Sequence, residues 1–452
     1  MGVTQLLDRE RTVAPPGYNR WLIPPAALAI HLSIGQVYAF SVFKNPLVER
    51  FGSSETAVAV VFSLAIAVLG LSAAFLGPWM ERNGPRKAMV LSAVCFSGGF
   101  LVSALGVAAG QLWVVYLGYG LLGGIGLGIG YISPVSTLIK WFPDRPGLST
   151  GLAIMGFGGG AFIASAVSDR LLRTLAPEPT AAIAPAFVVL GLAYLLLMTY
   201  GAWLVKVPPP GYAPGGYDPA EDETGVEARD ITADQAIRTH QFWLVWVVLF
   251  TNVTAGIGIL EQASPMIQDF FDQVDASAAA GYVGLLSIAN MLGRFVWSSS
   301  SDYVGRRPVY AMYLGVGAVA VLTVILIGAS SLAVFVLGTG LLISFYGGGF
   351  ATVPAYLKDL FGSHQVGAIH GRLLTAWSAA GVAGPLIINI LTESQRRGGA
   401  EGAAAYRPSL FVVVAMLAIG FVANLFVRPL AEGASDEDIG RRHRAEPAGS
   451  PG

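Results

Sequence analysis

Charge and cysteine are what this 452-residue chain has least of. Only 12% of its residues are Asp, Glu, Lys or Arg while 54% are hydrophobic, and a water-facing surface cannot be built from so little charge. With 27 basic and 28 acidic side chains the formal net charge is −1, so the basic excess of a polyphosphate binder is missing and nucleic acid is not expected as a partner. The single cysteine, Cys95, sits inside an apolar run. Neither a disulfide framework nor a cysteine metal site can form within one chain, and it reads as a small buried hydrophobe. The first residues, up to Trp21, lack a short apolar core followed by a small-residue cleavage site, so no removable signal peptide is expected. A membrane-embedded enzyme would need paired carboxylates, a metal motif or a nucleophile with its base. The apolar segments hold few titratable groups and no H-E-x-x-H, so neither enzyme activity nor a cofactor is expected.

What the chain has in quantity is apolar length. Runs of roughly 20 to 25 residues, enough for a helix to cross a hydrocarbon core of about 30 Å, recur along it. They fall at about 20–45, 56–78, 87–108, 112–139, 147–168, 182–206, 241–268, 277–300, 308–329, 332–357, 366–391 and 408–430. The fold class expected is therefore an all-α membrane protein of twelve transmembrane helices in two pseudo-symmetric six-helix bundles, occupying 20–206 and 241–430. A cytoplasmic amino-terminal segment (1–19), a cytoplasmic linker (207–240) and a cytoplasmic tail (431–452) complete the division. The linker is rich in Pro, Gly and acidic residues and offers one short helix, capped at Thr232 with Gln235 three residues on. Lysine and arginine collect on the cytoplasmic side of membrane proteins. With both termini inside, that side receives Arg82, Arg86, Lys87, Lys140, Arg145, Arg229, Arg306, Arg307, Lys358, Arg428, Arg441, Arg442 and Arg444 among others, and the outside far fewer. The location expected is the inner (cytoplasmic) membrane.

The halves repeat. GPWMERNGPRK, Gly77 to Lys87, follows the second span, and SSSSDYVGRRP, Ser298 to Pro308, follows the eighth. Pro134, Gly147 and Gly151 recur as Pro354, Gly367 and Gly371 at one offset. Duplicated six-helix halves are the layout of a carrier whose site lies between the repeats. GPWMERNGPRK closely resembles the loop motif of the major facilitator superfamily, G-x-x-x-D/E-R/K-x-G-x-R-R/K, over essentially residues 19 to 430. The resemblance implies alternating access, with Gly77, Glu81, Arg82, Gly84, Arg86 and Lys87 in one copy and Asp302, Gly305, Arg306 and Arg307 in the other as the conformational motif. Glu81, Arg86, Asp302 and Arg306 would form its charge networks. Ser298 stands where the second copy should have its first Gly, which puts close packing there in question.

A finer resemblance lies in Gly35 to Leu47, Tyr346 to Gly362 and Gly367 to Pro385, which are similar to the oxalate:formate antiporter family, a branch related to the monocarboxylate transporters. It implies a small organic anion (lactate, formate or oxalate) moved by proton symport or by exchange for a counter-anion. Arg294, an arginine inside a span, is the first candidate ligand, because such a residue is costly and its fork of donors fits a carboxylate. Asn290, one turn earlier, shares its face; the related proton-coupled carriers have an aspartate there, and an amide cannot titrate. In the oxalate carrier's T-A-K run this chain has Thr375, Ala376 and Trp377, so a second cation is missing and a monocarboxylate is favoured over a dianion. His31, in the first span, either takes up a proton and bonds the solute or packs as a structural histidine. Tyr38, Tyr119, Tyr131, Tyr346 and Trp377 are candidates for the cavity wall. Glu261 is either a proton carrier or outer gate near the end of the seventh span, or a wet loop residue. Arg372 reads as a gate or headgroup contact. The glycine-rich stretches Gly123 to Gly130 and Gly156 to Gly160 lack a P-loop lysine and read as close helix packing. The alternatives are a carrier of a non-carboxylate solute (sugar, drug or nitrate) and a non-transporting sensor on the same fold.

Overall fold

The computed structural model describes residues 7–217 and 231–428. Residues 1–6, the linker stretch 218–230 with Arg229, and the end from 429 with Arg441, Arg442 and Arg444 lie outside the described residues. Among the described residues twelve helices are long and apolar enough to span a bilayer. In chain order they are α1 (Arg20–Phe51), α2 (Thr56–Asn83), α3 (Pro85–Ala108), α4 (Leu112–Trp141), α5 (Pro146–Thr174), α6 (Pro179–Leu204), α7 (His240–Phe270), α8 (Ser277–Val304), α9 (Arg306–Ser330), α10 (Leu332–Phe361), α11 (Val366–Arg397) and α12 (Ala403–Phe426). Several run past the apolar stretch that marks them, α1 through Glu49 and Arg50 and α11 through Arg396 and Arg397, because a helix continues into the polar interface where hydropathy alone would end it. The last span begins and ends earlier than its apolar run suggests. Arg428 precedes a proline, which disfavours helical backbone at the residue before it.

Polar side chains at the helix starts satisfy the first amide groups. Ser54 accepts from the Ala57 amide, Thr239 from Phe242, Asp275 from Ala278 and Ser331 from Val334. In the linker Thr232 and Gln235 form the expected capping box. Gly84 (φ 92°) and Gly305 (φ 91°) let α2 turn at once into α3 and α8 into α9, a backbone region that favours glycine, and they occupy the same place in the two motif copies. Outward faces are strongly apolar: Phe75, Leu196 and Leu337 are 78%, 74% and 72% exposed. Such surfaces suit hydrocarbon rather than water, and the chain is a multi-pass membrane protein.

Within each half the helices meet through glycine. In the first, α1 crosses α5 so closely that a Cβ on Gly35 would stand 2.2 Å from the Phe157 carbonyl oxygen, and one on Gly160 would stand 2.2 Å from that of Leu32. Gly126, Gly128 and Gly130 of α4 abut Phe96, Ser72 and Ser92 in the same way, so both glycine-rich stretches are packing surfaces. The halves meet along two seams, α2 against α11 and α5 against α8. At Gly35–Phe40 α1 tightens into a 3₁₀ segment between two α-helical stretches, next to the centre of the molecule.

Candidate functional site

Arg294, on α8, is wholly buried. Its Nε donates to Asn290 Oδ1 at 3.2 Å, one helical turn back, and its Nη1 donates at 3.2 Å to the Ile154 carbonyl of α5 in the other half. Nη2 has no hydrogen-bond partner among the described residues. The guanidinium lies 5.7 Å from the centre of the Phe157 ring and 5.3 Å from that of Phe350, within the range of cation–π attraction. Among the described residues no carboxylate balances it. A buried cation without a counter-charge costs several kcal/mol, so this pocket is electrostatically incomplete without an anion.

Around it stands an aromatic box drawn from both halves. Tyr131 of α4 packs against Phe157, Phe350 and His370 at ring separations of 5.8, 5.4 and 5.6 Å. Phe350 leans on Trp377 at 5.6 Å, and Tyr38 meets Phe157 edge-on at 5.1 Å and Trp377 at 6.5 Å. Tyr346 is buried on α10. The Tyr131 hydroxyl and the Trp377 indole N–H are buried without partners among the described residues, so the box carries polar donors that none of them uses. His31 lies beside Tyr131, ring centres 5.4 Å apart. Its Nδ1 is 2.7 Å from the Ala153 carbonyl and its Nε2 3.2 Å from the Tyr131 carbonyl. A neutral imidazole donates from one nitrogen only, so just one of these contacts is a hydrogen bond unless the ring carries both protons.

The structure thus gathers Arg294, Asn290, His31, Tyr38, Tyr131, Tyr346 and Trp377 around one centre. Glu261 stands apart from them, exposed on α7, where Gln262 donates to it at 2.9 Å and to Asn389 of α11 at 2.5 Å. Tyr119 joins Phe40, Phe100 and Phe187 inside the first half. Arg372 pairs with Asp234 of the short linker helix. Three neighbours of the site, Phe157, Phe350 and His370, are not singled out by the sequence reading. Phe157 hides in a glycine-rich run (GFGGG) that reads as packing, Phe350 lies in the Tyr346 to Gly362 stretch that carries the finer resemblance without being marked itself, and the visible signal for His370 is only its place inside an apolar span.

The repeated motif closes one face beneath this box. Glu81 of α2 accepts from Lys140, from Ser136 Oγ at 2.7 Å and, across the seam, from the Gly367 amide of α11 at 3.1 Å. Asp302 of α8 accepts from the Gly147 and Leu148 amides of α5, both at 2.7 Å, and from Arg306 at 2.7 Å. Each carboxylate therefore caps the first turn of a helix in the opposite half. Arg306 also donates to Asp359 at 2.9 Å, while Arg86 donates to the carbonyls ending α6, Ala202, Trp203 and Val205. Lys87 pairs with Asp8, Arg82 with the Pro78 carbonyl and Arg307 with the Leu425 carbonyl. Gly77 packs on Ala368, where a Cβ would come within 2.8 Å of the neighbouring Cα. Ser298 does not prevent close packing: Gly147 supplies the room, since a Cβ there would meet the Ser298 carbonyl oxygen at 2.2 Å, and Ser298 Oγ donates to the Gly147 carbonyl at 2.8 Å.

Comparison with known proteins agrees with this architecture. The family profile described as Major Facilitator Superfamily matches residues 26–385 and 263–450. The uncharacterized MFS-type transporter YhjX of Escherichia coli (strain K12) is 27% identical over 361 residues, covering 79% of this chain and 85% of that protein. The oxalate:formate antiporter of Oxalobacter formigenes is 24% identical over 371 residues, covering 81% and 83%. Among solved structures, FucP, a Major Facilitator Superfamily transporter in the outward conformation, superposes with a TM-score of 0.68 at 14% identity, covering 91% of this chain and all of that one, a likeness of fold.

Proposed function

The chain belongs to the major facilitator superfamily of transporters, and from that premise we propose that it carries a small monocarboxylate across the cytoplasmic membrane by alternating access, coupled to a proton or to a counter-anion. The observation that carries this reading is the free Nη2 of Arg294, a buried guanidinium whose own protein supplies only neutral acceptors. A carboxylate at that edge would take charge-assisted hydrogen bonds from Arg294 and neutralise the pocket. The Trp377 indole and Tyr131 hydroxyl are unused donors for its second oxygen or an α-substituent, and the surrounding rings suit a short apolar tail. A single uncompensated cation favours one negative charge over two. The likeness to the oxalate:formate antiporter supports the organic-anion class.

The moving bodies in this reading are 20–206 and 241–430, with both termini and the linker on the cytoplasmic side. The motif face would then be the inner gate, shut in this structure. His31 and, at the opposite end of the cavity, Glu261 are the candidates for proton coupling. The test is uptake of labelled lactate, formate, acetate and oxalate by liposomes holding the purified protein, with and without an inward proton gradient. Saturable uptake of a monocarboxylate that Arg294→Ala abolishes is the expected result, and the gradient distinguishes symport from exchange. Uptake undiminished in Arg294→Ala, or no uptake of any carboxylate, would overturn the assignment of Arg294 and leave a carrier of another solute or a sensor.

A further inference from the structure

His370 lies on α11 in the seam between the halves, and none of the roles above uses it. It is 1% exposed, and among the described residues both of its ring nitrogens lack hydrogen-bond partners. An imidazole always has a polar atom at each nitrogen, so a ring buried with neither one satisfied carries a desolvation cost that the closed seam does not relieve. Its neighbours along α11 fix where it sits. Three residues earlier the Gly367 amide is held by Glu81, and one residue later Gly371 lies so near α2 that a Cβ would stand 2.2 Å from the Ala73 carbonyl oxygen. The side chain is thus enclosed by the contact that must break when the motif face opens.

We propose that His370 is a proton-binding site that exists only in the motif-open state: the ring takes up a proton as the seam parts and must release it before the seam can close. In the closed state a charged ring would have no acceptor and no counter-ion. Its α4 neighbour is the Tyr131 ring, and the one charge interaction it has among the described residues is with His31 of α1, itself titratable. On α2 and α4 the nearest charged pair along the seam, Glu81 with Lys140, is already mutually bonded, and Arg372 on its own helix pairs with Asp234. Water reaching the opened seam would supply both the proton and the missing partners. Closure then returns the proton to the solution on the motif side, so acid on that side holds the carrier open. The inference rests on alternating access and not on which solute is carried.

The size of the effect follows from linkage. One proton bound in the open state and none in the closed state changes the open-to-closed ratio up to tenfold per pH unit, below roughly the 6.5 of a hydrated imidazole and flat above it. Spin labels on Arg145→Cys and Tyr303→Cys, exposed residues of opposite halves beside the α5–α8 seam, in a Cys95→Ser background, report that ratio by pulsed dipolar spectroscopy with no solute added. The population at long distance is expected to grow as pH falls from about 8 to about 5. His370→Gln should abolish this growth, and His370→Asn serves the same purpose if the glutamine variant does not fold, whereas His364→Gln should keep it. A response that persists without His370, one lost with His364 instead, or no response in the parent would overturn the proposal. Because no carboxylate is present, failed uptake in the transport assay leaves this result unaffected.

Discussion

Replacing Asp302 by Asn should weaken the motif-side gate by an amount that can be worked out bond by bond. Asp302 receives two amide hydrogen bonds across the seam, from Gly147 and Leu148 at 2.7 Å each, and both amides belong to the first turn of α5, where no intrahelical acceptor exists. Its third bond, from Arg306, is made within its own half and survives opening, so only the two cross-seam bonds count. Asn keeps one acceptor oxygen and removes the charge. The loss is one charge-assisted bond, about 1.5–3 kcal/mol, with a smaller helix-end contribution of about 0.3–1 kcal/mol. Taking about 2–3 kcal/mol overall, the open-to-closed ratio should rise roughly 30- to 150-fold. A cysteine at Thr150, which is fully buried and 3.4 Å from Ser298 Oγ across the seam, reports opening through its rate of maleimide labelling in a Cys95→Ser background. A change of less than about threefold would refute the view that these amide bonds hold the gate.

Other expected outcomes use the same geometry. Gly147→Leu places a side chain where even a Cβ would meet a carbonyl oxygen at 2.2 Å, so the variant should be trapped with the motif face open, read by the same Thr150→Cys labelling. Gly160→Ala drives a methyl into the Leu32 backbone and should cost about 1–3 kcal/mol, seen as a lower melting temperature in detergent. Gly340→Ala, in a helix with nothing within 4 Å of the new methyl, should leave the melting temperature unchanged or raise it by the helix-propensity gain of about 1 kcal/mol. Asn290→Ala removes the acceptor that aims Arg294 and should raise the KM for a carboxylate roughly tenfold while leaving some transport, whereas Arg294→Ala leaves none.

The twelve spans were legible because apolar run length is a direct consequence of bilayer thickness, and the halves because the motif is written twice. Arg294 stood out since a lone cation in an apolar run has few explanations, and its partner Asn290 followed from helical periodicity. The remainder of the box was not legible for a definite reason. Periodicity says which residues share a face of one helix, but not which helix that face meets. Phe157 and Phe350 lie in different halves, more than the length of one half apart in sequence, and neither is marked by its neighbours in the chain until the two rings are seen flanking one guanidinium. His370 is similar: its meaning lies in the absence of any acceptor, which depends on Tyr131 and on the α2 backbone, not on its own neighbours in the chain.

In both latches the donors are peptide groups. Glu81 and Asp302 grip main-chain amides at Gly367, Gly147 and Leu148, and every residue except proline carries that same N–H. Short of proline, side-chain replacement at the receiving helices can therefore obstruct the fit but cannot delete the donor. The strength of these amide bonds is graded from the carboxylate side, where shortening, neutralising or removing the acid gives a stepwise series. A carrier built this way can have its resting conformation retuned by changes at two positions without altering the chemistry of the cavity above them.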